Sequence, residues 1–251
     1  MNPAILVKGP MRKRADIVLV ERGFFSSRTR AQAAIAAGLV SVGGVALRKA
    51  SDEVAGDAPI EAEEAHPWAS RGGIKLAAAL DTFALNPAGL VCLDVGASTG
   101  GFTDVLLARS AANVVAVDVG RAQLDPRLVA DPRVRSLEGI DARTMTAETL
   151  GEQPSAIVID VSFISQRLVL PHMLKLATSN AWLVSLVKPQ FELSRSDIIK
   201  GRVKDETALE RACHGVRATI EAQGWTVIGL MPSPILGGAG ARDFLIAARH
   251  G

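Results

Sequence analysis

Tyrosine is absent from this sequence of 251 residues, cysteine occurs twice, and all aromatic residues together make up only 4%. So small an aromatic set argues against an extended platform for stacking single-stranded bases. Two cysteines provide neither a disulfide framework nor a cysteine-rich zinc site. Cys92 lies in an apolar, strand-like run and Cys213 in a helical one, so both are expected to fill core, and no metal is expected. Also missing is any run of about 18 uncharged apolar residues, because Asp94, Asp118, Asp160 and Lys188 interrupt the best hydrophobic stretches. A membrane-spanning helix is therefore not expected. The stretch from Met1 to Arg14 has a four-residue apolar run followed by Arg12, Lys13 and Arg14, the reverse of a signal peptide's order. The expectation is a cytoplasmic protein with no membrane partner. With 48% hydrophobic and 22% charged residues, the chain can bury a sizeable core.

Charge is present but unevenly spread. The net charge of +2 conceals a head, residues 1–50, with nine Lys and Arg against Asp16 and Glu21, a balance of +7. Residues 51–66 then hold six acids and no base. A basic head on a nearly neutral body is the footprint of a polyanion-binding module. Arg22, Arg28 and Arg30 surround the Gly23 turn and the start of a helix-like run, Ala31 to Ala37, which Ser26 or Ser27 could cap. The amino end of that helix would offer backbone N–H groups and guanidinium forks to phosphate. Val40 to Leu47 alternates around Gly43-Gly44, a hairpin signal. The head thus reads helix, helix, small sheet. Arg14-Ala-Asp16, Gly23, Ser27-Arg28 and Ala37-Gly38-Leu-Val-Ser-Val-Gly43 together resemble the small α+β RNA-binding domain first known from ribosomal small-subunit protein four. That resemblance covers residues 12–62 and implies binding to structured RNA through shape and phosphate contacts. Arg14, Arg22, Arg28 and Arg30 are its candidate RNA-binding residues. Residues 63–70 read as a linker and residues 71–251 as the main domain.

Beyond Trp68, strand-like and helix-like runs alternate. Leu90 to Val95, Asn113 to Val119, Ala156 to Val161, Ala181 to Val187, Trp225 to Met231 and Asp243 to Ala248 are the clearest strands, several of them apolar throughout. Such strands are buried on both faces, which predicts an α/β fold with a mainly parallel sheet and helices on either side. Asp94-Val-Gly96-Ala-Ser98-Thr-Gly100-Gly101-Phe102-Thr ends the first strand and opens a helix. The crevice at the carboxyl edge of the strands is where open α/β sheets bind ligands. A Gly-x-Gly-x-x-Gly spacing is absent, and Asp94 just before the glycines would repel a pyrophosphate but could hold an amino group. Asp118 ends the second strand, suited to ribose hydroxyls, and Asp141 follows a third short strand, suited to an adenine amino group. Acids at three successive strand ends fit S-adenosylmethionine, a cationic sulfonium without phosphate, better than any dinucleotide. The candidate cofactor contacts are Asp94, Gly96, Ser98, Gly100, Phe102, Asp118, Asp141 and Asp160.

Lysine is scarce, eight residues against twenty arginines. Lys188 follows the apolar strand Trp182 to Val187, at the same carboxyl edge as Asp160; Lys75 lies at a helix start before the sheet; Asp243 begins the last strand. Two lysines and two acids could converge in one crevice.

Five motifs carry a family resemblance: Ser70-Arg-Gly-Gly-Ile-Lys75-Leu, Asp94-Val-Gly-Ala-Ser-Thr-Gly-Gly-Phe-Thr-Asp104, Val117-Asp118-Val-Gly, Asp160-Val-Ser-Phe-Ile-Ser165 and Val187-Lys188-Pro-Gln-Phe-Glu192. They resemble the hemolysin A or TlyA-type proteins, ribose 2′-O-methyltransferases of ribosomal RNA, from residue 11 onward. The body also resembles the FtsJ-type rRNA methyltransferases, whose catalytic set is Lys, Asp, Lys, Glu. That implies a Rossmann-like, mostly parallel seven-stranded sheet with helices on both faces, S-adenosylmethionine as cofactor and ribosomal RNA or ribosomal subunits as partner. Carried over, the catalytic residues become Lys75, Asp160, Lys188 and Asp243. Asp243 departs from the family's Glu by one methylene.

Methyl transfer from a sulfonium requires the ribose hydroxyl aimed in line at the methyl carbon and relieved of its proton as the bond forms. Lys188 is the candidate for contacting that hydroxyl. Desolvation and Lys75 favour a neutral base there, whereas Asp160 and Asp243 favour an ammonium that would stabilise developing alkoxide. Gln190 to Lys204 reads as a long polar loop whose Arg195, Lys200, Arg202 and Lys204 would hold RNA backbone as a lid. The expected target is a flipped or unpaired nucleotide. Three competing readings are a non-catalytic RNA-binding or assembly factor that keeps the fold, a small-molecule methyltransferase, which leaves the basic head unexplained, and a membrane-active hemolysin, which lacks an amphipathic cationic helix with an exposed aromatic face.

Overall fold

The computed structural model describes residues 12–251, so most of the start-of-chain pattern read against a signal peptide lies outside the described residues. The chain divides into two compact units, one up to Ser70 and one from Arg71.

In the first unit, β1 (Arg12–Arg14) leads into α1 (Ala15–Glu21), and α2 (Arg28–Ala36) follows. Ser27 accepts a hydrogen bond from the Arg30 backbone N–H, so it is the cap that starts α2, three residues before the apolar run. The hairpin forms as β2 (Val40–Val42) and β3 (Val45–Ala46), with Gly43 and Gly44 both at positive φ in its two-residue turn. β4 (Glu53–Ala55) pairs antiparallel with β1, and β5 (Ile60–Ala62) pairs with β2. The order helix, helix, small sheet is thus preceded by a short strand that the sequence pattern does not announce. Leu19, Phe25, Ile35, Val40 and Val54 form the core of this unit.

The second unit opens with α3 (Gly72–Thr82) and then alternates: β6 (Val91–Val95), α4 (Gly101–Ala108), β7 (Asn113–Asp118), α5 (Pro126–Val129), β8 (Val134–Glu138), α6 (Ala147–Leu150), β9 (Ala156–Ile159), α7 (Leu170–Leu174), β10 (Trp182–Val187), α8 (Pro189–Glu192), α9 (Glu206–Glu221), β11 (Trp225–Pro232) and β12 (Phe244–His250). The strands make one seven-stranded sheet in the order β11-β12-β10-β9-β6-β7-β8. All neighbours are parallel except β12, which runs antiparallel to both β10 and β11. Every residue of β9 and β10 is buried, as strands covered on both faces must be, whereas the edge strand β11 alternates buried or partly buried with exposed positions. α3 packs on α4 and α7 on α9, giving a helical layer for each face of the sheet. Cys92 and Cys213 are both buried, and burial pushes the Cys92 thiol up to about 12, the behaviour of an inert core filler.

The strand order reverses between β6 and β9. From β6 the chain moves outward through β7 to β8, then returns to place β9 on the other side of β6 and moves on to β10. That reversal opens a crevice at the carboxyl ends of β6 and β9, the topological switch point of an open α/β sheet.

Candidate active site

Strand register lines up the polar residues along this edge. Val187 of β10 pairs with Phe244 of β12, so Lys188 and Asp243, one step further along each strand, stand side by side. Ser185 pairs with Ile159 of β9, which brings Asp160 to the same edge, opposite Leu186 in the continued register. Across the switch point come Gly96 after β6 and then Asp118 at the end of β7. Amines and their carboxylates therefore occupy one half of the edge, and the glycine-rich loop with its acids the other.

Two ion pairs form in the first half. Lys188 Nζ lies 2.5 Å from Asp160 Oδ1 and donates to Ser162 Oγ at 2.7 Å; the two charged side chains keep 14% and 24% of their surface exposed. Lys75 Nζ donates to Asp243 Oδ2 at 2.6 Å, and that pair is sealed, at 9% and 1%. The Asp243 side chain packs against the glycine loop so closely that a Cβ on Gly237 would stand 2.4 Å from Asp243 Oδ2. Of the two amines, Lys188 is the one a substrate can reach. Next in the chain after Ser162, Phe163 is 92% exposed at a φ of 65°, its ring centroid 5.3 Å from that of Phe191. Sequence reasoning quoted both phenylalanines within motifs without giving either a role.

In the second half, Asp94 is fully buried. Its Oδ2 accepts from Thr103 Oγ1 at 2.7 Å, while Oδ1 has no hydrogen-bond partner. Burial pushes the carboxyl up to about 7, against the Thr103 bond and with the charge of Asp160 adding to the rise. Gly96, at a φ of 83°, runs so close to β9 that a Cβ there would meet the Asp160 carbonyl oxygen at 2.5 Å. Gly100, at 92°, would collide through its Cβ with Leu128. Asp118 accepts from the Ser98 N–H at 2.8 Å and the Gly120 N–H at 2.7 Å, tying the two loops together. Phe102 is buried at 3% exposure. A buried carboxylate with one oxygen unpaired, beside a loop whose Gly96 and Gly100 leave no room for a Cβ, fits a cationic ligand such as S-adenosylmethionine. Asp141 departs from its expected place: it caps the turn Ala142–Thr144 and pairs with Arg143 at 2.5 Å, whose hydrogen bond lowers its carboxyl to about 2. That pair keeps 50% and 38% of its side chains exposed, so Asp141 serves first as a local cap.

The RNA-binding candidates separate by environment. Arg14 and Arg28 converge on Asp16, at 3.0 and 2.8 Å, while keeping 45% and 53% of their side chains exposed. Arg14's hydrogen bond, then those of Arg28 and Gln32, hold the buried Asp16 carboxyl well below the usual range despite the cost of burial. Arg22 donates to the Ala58 carbonyl and lies over the Phe24 ring at 5.2 Å. Arg30 is a correction: only 8% exposed, it donates to Glu64 and to the Trp68 carbonyl, so its charge is used inside the unit. Arg195, Lys200 and Arg202 are exposed, but the segment from Gln190 to Lys204 is no loose loop. It contains most of α8, a turn at Arg195–Asp197 and an Ile199–Arg202 bridge, and Leu193, Ile198 and Val203 anchor it against Ala208, Leu209 and Phe244.

Known proteins resemble this chain along most of its length. Residues 68–250 match the FtsJ-like methyltransferase family and residues 13–60 the S4 domain. The 16S/23S rRNA (cytidine-2′-O)-methyltransferase TlyA of Mycobacterium tuberculosis is 42% identical over 243 residues, 95% of this chain and 90% of that protein. Hemolysin A of Brachyspira hyodysenteriae is 37% identical over 234 residues, 92% of this chain and 98% of that one. A solved structure from Streptococcus thermophilus shares 38% identity at a TM-score of 0.77, covering 95% of this chain and 88% of its own. In motif, topology and edge geometry the chain belongs to the FtsJ-like methyltransferases, with an S4 domain ahead of the methyltransferase fold.

Proposed function

We propose that this protein methylates a ribose 2′-hydroxyl of ribosomal RNA, a cytidine as in the mycobacterial relative's name, and does so in the cytoplasm. Residues 12–62 would bind RNA, residues 63–70 link, and residues 71–251 carry the chemistry. The observation that bears most weight is the Lys188–Asp160 pair, part-open at the switch point beside the buried carboxylate of Asp94. S-adenosylmethionine, when bound, supplies an electrophilic methyl on a cationic sulfur. Asp94, Gly96, Ser98, Gly100 and Asp118 would hold it, with Asp94 Oδ1 facing its positive charge.

Lys188 Nζ would meet the ribose hydroxyl, and the hydroxyl proton would pass into the Lys188–Asp160 pair as its oxygen takes the methyl carbon, the carbon–sulfur bond breaking to leave the donor as a neutral thioether. Asp160 and Ser162 fix the amine's direction from two sides. The sealed Lys75–Asp243 pair holds the neighbouring strand end rigid and excludes water. Phe163, exposed and next in the chain after Ser162, suits stacking against one unpaired base. Arg14, Arg22 and Arg28 in the head, with Arg195, Lys200 and Arg202 beside the crevice, offer cations to phosphate.

The test is incubation with labelled S-adenosylmethionine and ribosomal subunits from a strain lacking such an enzyme, followed by mapping of alkali-resistant ribose positions. Label at a single 2′-position is expected. Label on base or protein only, or none at all, overturns the proposal.

A further inference from the structure

The two motifs that carry the Lys188–Asp160 pair run on into a second set of buried polar groups. Five residues past Asp160 the chain reaches Ser165 and then Gln166, at the head of the turn Gln166–Leu168; four residues past Lys188 it reaches Glu192, the end of α8. The Glu192 side chain is 2% exposed. Its Oε2 accepts from Ser165 Oγ at 2.5 Å, and its Oε1 accepts from the Gln166 backbone N–H at 2.7 Å. Arg167 adds a guanidinium 3.5 Å from Oε2 and donates through Nη2 to the Glu192 carbonyl at 3.0 Å. Gln166, itself buried, bonds to β10 as well: Ser185 Oγ donates to its Oε1 at 2.6 Å, and its Nε2 donates to the Leu186 carbonyl.

Sinking a carboxylate into the interior is costly unless charge-assisted hydrogen bonds replace its water, and an apolar side chain would fill the same space without that cost. What the acid provides is a join. The segment after β9 and the segment after β10 already meet at one place, Lys188, which bonds both Asp160 and Ser162. The Glu192 bonds link them a second time and close a ring. One link leaves a hinge, whereas two fix the relative direction of both side chains. Ser162, which takes the other Lys188 hydrogen bond, lies inside that ring.

We propose that Glu192 is a positioning residue for methyl transfer: by clamping the segment after β9 to the segment after β10, it holds the Lys188 amine and the Asp160 carboxylate in their working geometry. The inference rests on the ribose methylation proposed above. Glu192 touches no reacting atom and acts only through the pair it aligns.

The test compares Glu192→Gln, Ser165→Ala and Ser165→Thr with the unaltered full-length protein by two readouts. In single-turnover methylation at saturating RNA and cofactor, Glu192→Gln is expected to slow transfer about ten- to a hundredfold, the scale of a small misplacement. Ser165→Ala should slow it less, Ser165→Thr should retain the rate, and affinity for both substrates should not change. The second readout needs no turnover. Acylation of lysines by a small amine reagent, followed by mass spectrometry of the cofactor-free protein, should show Lys188 labelled several-fold faster relative to Lys75, whose partner Asp243 lies outside the ring. An unchanged ratio, or equal acceleration at both lysines, overturns the clamp whatever the turnover does. If Glu192→Gln does not fold, the Ser165 pair carries both readouts. If the unaltered protein methylates no ribose but the labelling ratio responds, the proposed activity fails and the clamp stands.

Discussion

Lys188 and Asp94 show how far one position can be interpreted. Lys188→Ala is expected to slow methyl transfer by at least about a hundredfold, the lower range for lost acid–base help, with cofactor affinity nearly unchanged; turnover retained in that variant would remove Lys188 from the mechanism. Asp94 leads to a pH prediction. Its carboxyl titrates near 7 in the folded protein because of burial, and near ~3.9 in the unfolded chain. Between those values the folded state keeps a proton that the unfolded state has lost, so stability falls as pH rises through the window and levels off above it. Below the window both states are protonated and the penalty vanishes. Asp94→Asn carries no such charge, so its melting temperature should gain on the unaltered protein between pH 4 and 8; a constant difference across that range would contradict the burial effect. Both residues were legible in the sequence, because a charge that interrupts an otherwise apolar strand is conspicuous. Arg30 was misleading as one of three arginines around the Gly23 turn, yet it shares a helix face with Ala31, Ala34 and Ile35, a spacing that already pointed inward.

At the scale of elements, the legible strands were the most apolar ones, together with the edge strand β11, whose exposed positions alternate with buried or partly buried ones. Runs dominated by Val, Ile, Leu and Ala make β6, β7, β9 and β10 readable without partners, whereas β1 and β4 have three residues each and pair where Lys13 meets Val54 across the first unit. The loop between β6 and α4 has the tightest backbone requirement at the switch point. Gly96→Ala should cost about 1 to 3 kcal/mol from its positive φ alone, and the 2.5 Å approach to the Asp160 carbonyl adds a displacement of β9's end. Cofactor affinity and transfer rate are expected to fall together, checked by calorimetric titration beside kinetics. Normal affinity in a folded Gly96→Ala protein would separate this loop from the cofactor.

At the scale of the whole molecule, composition divides the labour: a basic head with an S4 match and a body with an FtsJ-like match. Removing residues 1–66 should leave cofactor binding within about twofold and reduce ribosomal RNA methylation by tenfold or more at physiological salt, because phosphate contacts dominate affinity there. Equal methylation with and without the head would deny it a role in substrate capture. The sequence alone determined the class of fold, the glycine loop and the identity of the edge residues, because hydrophobic period and strand-end position are local properties of a chain. Tertiary structure alone decided which charge meets which: Lys75 with Asp243, Lys188 with Asp160, Arg30 turned inward, Asp141 claimed by Arg143, and Glu192 joined to Ser165. Those pairings join residues that strand order and register bring together, and the strength of each depends on how much water the surrounding packing removes.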